Sequence, residues 1–274
     1  MTVQVLGLCR FSLLVDGGFQ TMHDSLDARR TMLYDPERLE LRFAWFEQVC
    51  LPALRMQSDP DYTLVLLTGQ DLPDAALERL RALTADIPQI VLVQEKPARH
   101  RVVCRHAMQR LIDPAAEAVV QFRLDDDDAI AVDFVARLRG DFGQGRGIFD
   151  QYRRLYIDYS KGFALLTPPE GVEVIAQIAE RMSVGLAVVL DPEDEACVMD
   201  FGHHRVHQFM PGLTFQDSYM YLRGKHATND STKGMYRHEG LAIDQNPEEL
   251  PAILSERFGI DLAAAEGVLL RSPC

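Results

Sequence analysis

Four predominantly apolar runs, set between helix-patterned stretches, constrain this chain more than any other feature. They are "VQVLGLC" (3–9), "YTLVLLT" (62–68), "QIVLVQ" (89–94) and "AVVQFRL" (118–124). Strands that do not alternate apolar with polar have both faces covered, which is the mark of a mainly parallel sheet. Between the first two runs, Leu39, Phe43, Phe46, Cys50 and Leu54 recur at helical spacing. Pro52 should bend or shorten that helix near its end. "LPDAALERLRAL" (72–83) reads as a helix with Pro73 near its start, and "RVVCRHAMQRLI" (101–112) as another. Residues 11–37 look irregular. Strand and helix in strict alternation predict an α/β fold, with a mainly parallel sheet flanked by helices.

After residue 146 the pattern changes. "GIFDQY", "RLYIDY" and "GFALLT" follow one another closely and read as a β-meander, and "PEGVEVIAQIAERM" (169–182) reads as a helix. From about residue 190 the chain is loop-rich until helix-like stretches at 247–258 and 261–270. With no repeat and no linker, one domain over 1–274 is expected, its first half (1–145) regular and its second (146–274) irregular. Hydrophobic residues make up 47% of the chain, enough for a sizeable core. The five cysteines are scattered and form no CxxC pair, the pattern of reduced thiols in a cytoplasmic protein. The apolar first fifteen residues contain Gln4 and Arg10 and lack a basic leader, so they read as a core strand rather than a signal peptide. No apolar run approaches the roughly 18 residues of a membrane span, which leaves room only for peripheral membrane association.

The chemistry concentrates in "RLDDDDAI". Asp125, Asp126, Asp127 and Asp128 follow directly on a strand, at the carboxyl edge where open α/β sheets bind ligands. One of them could cap the helix that carries Phe134, Val135 and Leu138, with the others solvated. Capping accounts for one or two carboxylates; four at the end of a buried strand repel one another and raise each other's pKa. A divalent cation, Mg²⁺ or Mn²⁺, relieves that conflict and keeps positions open for phosphate. The spacing does not fit an EF-hand loop. With 28 basic and 41 acidic side chains the net charge is −13, which argues against nucleic-acid binding yet permits a local basic pocket for one small phosphorylated ligand.

Other candidates are softer. Arg10 and Phe11 end the first strand, where the arginine could meet a phosphate and the ring pack on a base; an amphipathic strand end reads equally well. Arg101 and Arg105 lie one helical turn apart. In "HATNDS" (226–231), His226 suits a metal beside carboxylates, while Asn229 and Ser231 suit phosphate or sugar hydroxyls; the alternative is a polar surface loop. A general base could come from Asp200, His203 or His204, from Asp217, or from the acidic stretch 193–195. Asp217 and His204 lead that group. A Mg²⁺-dependent nucleotidyltransferase or phosphohydrolase is an alternative, weakened by the absence of GxxxxGK[ST]. A non-catalytic protein holding a structural Ca²⁺ is another.

"RLDDDDAIAVDFV" resembles the D-x-D-D segment of nucleotide-sugar-dependent glycosyltransferases of the GT-A fold. "LCRF", "YDPERLELRFAWFEQVCLPAL", "RLDDDDAI" and "YLRGKHATNDS" together resemble a bacterial family of rhamnosyltransferases. The resemblance implies a sugar, rhamnose by the family's name, moved from a dTDP-, UDP- or GDP-linked donor to a glycan or lipid-linked acceptor. It implies a nucleotide-sugar-binding half (1–145) and an acceptor-side half (146–274). It gives Asp125 and Asp126 to the nucleotide side, and Asp127 to the metal that bridges the diphosphate. Asp128 and His226 become further metal ligands, and the helix of Arg101 and Arg105 lies near the nucleotide.

Overall fold

The computed structural model describes residues 2–17, 25–226, 229 and 238–270. Two sheets share the core. The larger has seven strands: β1 (Val3–Arg10), β2 (Thr63–Gly69), β3 (Ile90–Glu95), β4 (Ala118–Asp125), β6 (Arg154–Tyr159), β9 (Leu186–Leu190) and β10 (Gly212–Phe215). Their order is β10-β6-β9-β4-β1-β2-β3. β4, β1, β2 and β3 run parallel, as their apolar sequences require, and β9 is antiparallel to both β4 and β6. Helices α4 (Asp74–Thr84), α5 (His100–Gln109) and α6 (Phe134–Tyr152) connect or flank these strands. The mainly parallel, helix-flanked sheet expected for a GT-A-like chain is the architecture observed.

The smaller sheet was not anticipated. It comprises β5 (Ala129–Ile130), β7 (Lys161–Leu166), β8 (Glu173–Ile178), β11 (Tyr221–Lys225) and β12 (Leu241–Ala242), ordered β12-β8-β7-β11-β5. β4 ends at Asp125 in the first sheet and β5 starts at Ala129 in the second, so the aspartate run is the crossing between them. β5 pairs antiparallel with β11, Tyr221 facing Ile130 and Leu222 facing Ala129. That pairing carries Arg223, Gly224 and His226 to the aspartates. A Cβ on Gly224 would lie 2.1 Å from the Asp127 carbonyl oxygen, so only glycine permits this approach.

Several local expectations need correction. Residues 11–37 contain a helix, α1 (Leu26–Leu33), opened by Ser25, whose Oγ accepts the Ala28 N–H at 3.1 Å. "GIFDQY" is the last turn of α6, not a strand. Its glycines suggested breaks, but Gly145 is where the helix meets Leu155 of β6, a Cβ there falling 2.5 Å from the leucine side chain. β6 and β7 belong to different sheets, so there is no meander. "EVIAQI" within the supposed helix is β8, paired with β7; its β-branched Val174, Ile175 and Ile178 suit a pleated surface. Near Pro52, α2 (Pro36–Trp45) passes through a π turn (Phe46–Cys50) into α3 (Leu51–Arg55). Pro52 has no N–H to continue the regular ladder, and the wider turn absorbs the mismatch. The C-terminal helices are α7 (Leu250–Phe258) and α8 (Leu262–Leu269). Cys9, Cys50, Cys104 and Cys197 are buried free thiols. No described helix is long and apolar enough to cross a membrane.

Candidate active site

The aspartate run does not fan into solvent. Asp126, Asp127 and Asp128 are buried, at 2%, 1% and 1% exposure, and Asp125 is half-buried beside them. Arginines absorb most of their charge. Arg42 of α2 donates through Nε to Asp126 Oδ2 at 3.0 Å and through Nη1 to Asp127 Oδ2 at 3.1 Å. Arg223 of β11 donates to Asp128 Oδ2 at 2.8 Å and sits 3.5 Å from Asp125 Oδ2. Arg10, at the end of β1, closes an ion pair with Asp125. Four carboxylates thus meet three guanidiniums, so protein side chains supply most of the relief that was expected of a cation. Capping is excluded as well, because the N-cap of α6 is Asp133.

The balance still falls one charge short, and the titrations reflect it. Burial, together with the charges of Asp127 and Asp125, pushes the Asp128 carboxyl up to about 8 against the pull of Arg223. Burial also opposes ionisation of Asp127, but Arg42 and the His226 hydrogen bond outweigh it and hold that carboxyl well below its usual range. His226, 1% exposed, is stacked on Trp45 with ring centroids 4.7 Å apart. Its Nε2 lies 3.0 Å from Asp127 Oδ2, and burial lowers its pKa to about 4. Asn229 binds the His226 N–H through Oδ1 at 2.6 Å and donates from Nδ2 to the same Asp127 oxygen at 2.6 Å. Asp127 Oδ2 therefore accepts from Arg42, Asn229 and the imidazole, while Oδ1 is buried with no partner among the described residues.

A cavity of about 340 Å³ opens beside the run. Six arginines line it (Arg10, Arg38, Arg42, Arg101, Arg123 and Arg223) against three acids, Asp125, Asp126 and Asp127. A chain of charge −13 thus concentrates positive charge at one concave site. Ser12, Leu13, Leu33, Ser183, Met199, Phe201, Gly202 and His203 also line it. At the end of β1 the chain turns through Ser12, whose φ of 42° is left-handed, and Arg10 faces the cavity. Phe11 packs in the core against Phe43 and Phe46, with centroids 4.8 and 5.6 Å away, and is fully buried. The expectation that a base packs on Phe11 is therefore corrected: no ring face is open to a ligand.

The remaining candidates divide. Arg101 lines the cavity and is exposed. Arg105 does not line it and instead binds both oxygens of Asp200, at 3.1 and 2.6 Å, tying α5 to the short helical turn Val198–Asp200. Asp217 is exposed outside the cavity lining and pairs with both Nη atoms of Arg137 at 3.0 Å, which lowers its pKa and weakens it as a base. His204 is exposed, its ring tilted against that of His203, while His203 faces the cavity. His203 Nδ1 lies 2.7 Å from the Arg181 carbonyl oxygen, which can only accept, so Nδ1 carries the proton and Nε2 is the acceptor. Burial and the Arg123 charge lower its pKa to about 3. In the 193–195 stretch Asp194 is held by Arg154 and none of the three lines the cavity. Ser231 lies outside the described residues.

The residue reading missed Arg42, Arg123 and Arg223. Arg42 carried a signal, a charge inside the apolar stripe Leu39–Phe43–Phe46 where a solvated arginine does not belong. Arg223 carried none without the β5–β11 pairing.

The model of a family described as "Putative rhamnosyl transferase" matches residues 4–238. The chain belongs to that family. No curated protein matches it. Among solved structures, Staphylococcus aureus TarS residues 1–349 in complex with UDP-GlcNAc is 11% identical at a TM-score of 0.42, covering 98% of this chain and 70% of that one. A Desulfovibrio desulfuricans G20 "putative nucleotide-diphospho-sugar transferase" is 12% identical at a TM-score of 0.40, covering 99% and 98%. The family member spans 37% of the longer S. aureus TarS chain. UDP-GlcNAc is the ligand of TarS.

Proposed function

We propose that this family member is a glycosyltransferase that binds a nucleotide-sugar donor in the arginine-lined cavity and releases a nucleoside diphosphate as the glycosidic bond breaks. The observation that carries the reading is the cavity itself: six arginines beside buried carboxylates, in a strongly acidic chain. A diphosphate leaving group needs its developing charge met as it departs, and prearranged guanidiniums meet it without reorganisation. Arg10 and Arg101 fit the nucleotide side. The cavity draws lining residues from both 1–145 and 146–274, which supports a reading in which a nucleotide-binding first half and an acceptor-side second half share it.

The donor set also suits a divalent cation. Oxygens of Asp125, Asp127 and Asp128 lie within 4.8 Å of one another, and the partnerless Asp127 Oδ1 is a hard ligand atom in want of a charge. Those three carboxylates would hold Mg²⁺ or Mn²⁺, with His226 fixing Asp127 from behind rather than joining the ligand set. When bound, such an ion supplies Lewis-acid neutralisation of the diphosphate. For an inverting transfer, His203 Nε2 faces the cavity as a neutral acceptor while His204 and Asp217 lie outside its lining, although its depressed pKa weakens it as a base just as Arg137 weakens Asp217. Rhamnose as the transferred sugar is supported by the family description alone, and a glycan or lipid-linked acceptor by the sequence resemblance alone.

A thermal-shift series with dTDP-, UDP- and GDP-sugars, each with Mn²⁺ or with EDTA, tests the reading, followed by product analysis of whichever donor binds. Stabilisation by one donor, strengthened by Mn²⁺, and release of intact nucleoside diphosphate are expected. Release of pyrophosphate or monophosphate, or no stabilisation by any donor, refutes it.

A further inference from the structure

Arg10, Arg42 and Arg223 are all engaged by the aspartates, but Arg123 is not. It lies on β4 two residues before Asp125, and strand alternation puts the two side chains on one face. The register sets Asp125 opposite Arg10 on β1. Arg123 lines the cavity, yet makes no hydrogen bond or ion pair with a described residue, and its Nε and Nη2 are buried without partners. Burial and the like charges of Arg10 and Arg223 weigh against it, and the charges of Asp125 and Asp128 offset only part of that. Two buried donors left unmet on a half-buried guanidinium are expensive for a fold to keep, since unpaired buried polar groups destabilise. An arginine that the fold itself does not use is explained by a ligand of opposite charge, and the cavity is the side from which that ligand comes.

We propose that Arg123 is the residue that anchors the donor's diphosphate, holding it without help from a divalent cation. This rests on the glycosyltransferase reading for the identity of the ligand, but its own physical content is narrower. A diphosphate offers several anionic oxygens to one planar guanidinium, the pairing that arginine makes best. The division of labour that follows is specific: Arg10, Arg42 and Arg223 hold the carboxylates in place, and Arg123 holds the anion. Anion binding then has a component that survives chelation of metal.

The test is calorimetric titration of the full-length chain with inorganic pyrophosphate in EDTA, for wild type, Arg123→Met and Arg123→Lys, with melting temperatures of the ligand-free proteins. Arg123→Met is expected to weaken pyrophosphate at least tenfold while melting at or above wild type, because it removes a charge the fold leaves unpaired. Arg123→Lys, which keeps the charge and loses the planar fork, should fall between. A purely structural arginine would give the reverse, a lower melting temperature with unchanged affinity, and that result overturns the proposal. If Arg123→Met does not fold, the lysine variant decides: at least a threefold loss at unchanged melting temperature supports the anchor, and unchanged affinity refutes it. Wild type that binds pyrophosphate only with Mn²⁺ also refutes the anchor, while leaving the glycosyltransferase reading intact. Failure of every nucleotide sugar to bind under any condition refutes that reading instead.

Discussion

Asp127 shows how tightly the site is wired at the level of single atoms. One of its oxygens takes three contacts, from Arg42, His226 and Asn229, and the other has none among the described residues. Truncating a buried member of an ion pair leaves its partner uncompensated, at a cost of about 3–5 kcal/mol. Asp127→Ala should therefore lose stability on that scale in chemical denaturation, because Arg42 would then rely on Asp126 alone. Asp127→Asn keeps the shape and one acceptor, so it should melt closer to wild type and still lose any Mn²⁺-dependent gain in nucleoside diphosphate affinity. If Asp127→Asn retains that gain, Asp127 is not the cation ligand.

At the scale of elements, the decisive event is the passage from β4 into β5, which hands the chain from one sheet to the other across the aspartates. β11 closes on that turn because Gly224 has no side chain: its N–H donates to Asp128 Oδ1 at 3.0 Å, and a Cβ there would also meet the Trp45 ring at 2.8 Å. Gly224→Ala forces a methyl group against the Asp127 carbonyl and should cost about 1–3 kcal/mol, the usual range for overpacking. It should also displace Arg223 and so weaken donor binding; a variant with wild-type stability and affinity would show that the close approach is not needed. Much of this scale was legible beforehand. The four parallel strands and most of their helices follow from unbroken apolar runs and 3.6-residue periodicity, which are local signals. β8 and the end of α6 were not legible, because β-branched residues at helical spacing and glycines within a helix give local preferences that packing overrides.

For the whole molecule, stability is tied to pH through groups that the two sheets bury. Asp158 of β6 is fully buried, and burial raises its pKa from 3.8 to about 6, despite hydrogen bonds from the Arg181 N–H and the Thr214 hydroxyl. The folded protein holds this proton more tightly than the unfolded chain. Its contribution is thus complete below about pH 4 and lost as pH rises through about 6, a change of roughly 3 kcal/mol. His100, His203 and His226 act oppositely: burial depresses them, so they penalise the folded state as pH falls below about 6.5. Asp158→Asn isolates the first effect. It should raise the melting temperature at pH 7.5 and leave it little changed at pH 4; an equal shift at both pH values would show that the carboxylate's ionisation is not the cause.

By itself the sequence determined the parallel half of the larger sheet, the acidic edge at the end of β4 and the family, because apolar runs, a charge cluster and motif strings are written in neighbouring residues. Only the tertiary structure decided how that edge is neutralised. Arg10, Arg42 and Arg223 reach the aspartates from three separate elements, and His226 arrives through a strand pairing that joins residue 130 to residue 221. Charge balance acts through space, and its partners lie up to 115 positions away along the chain.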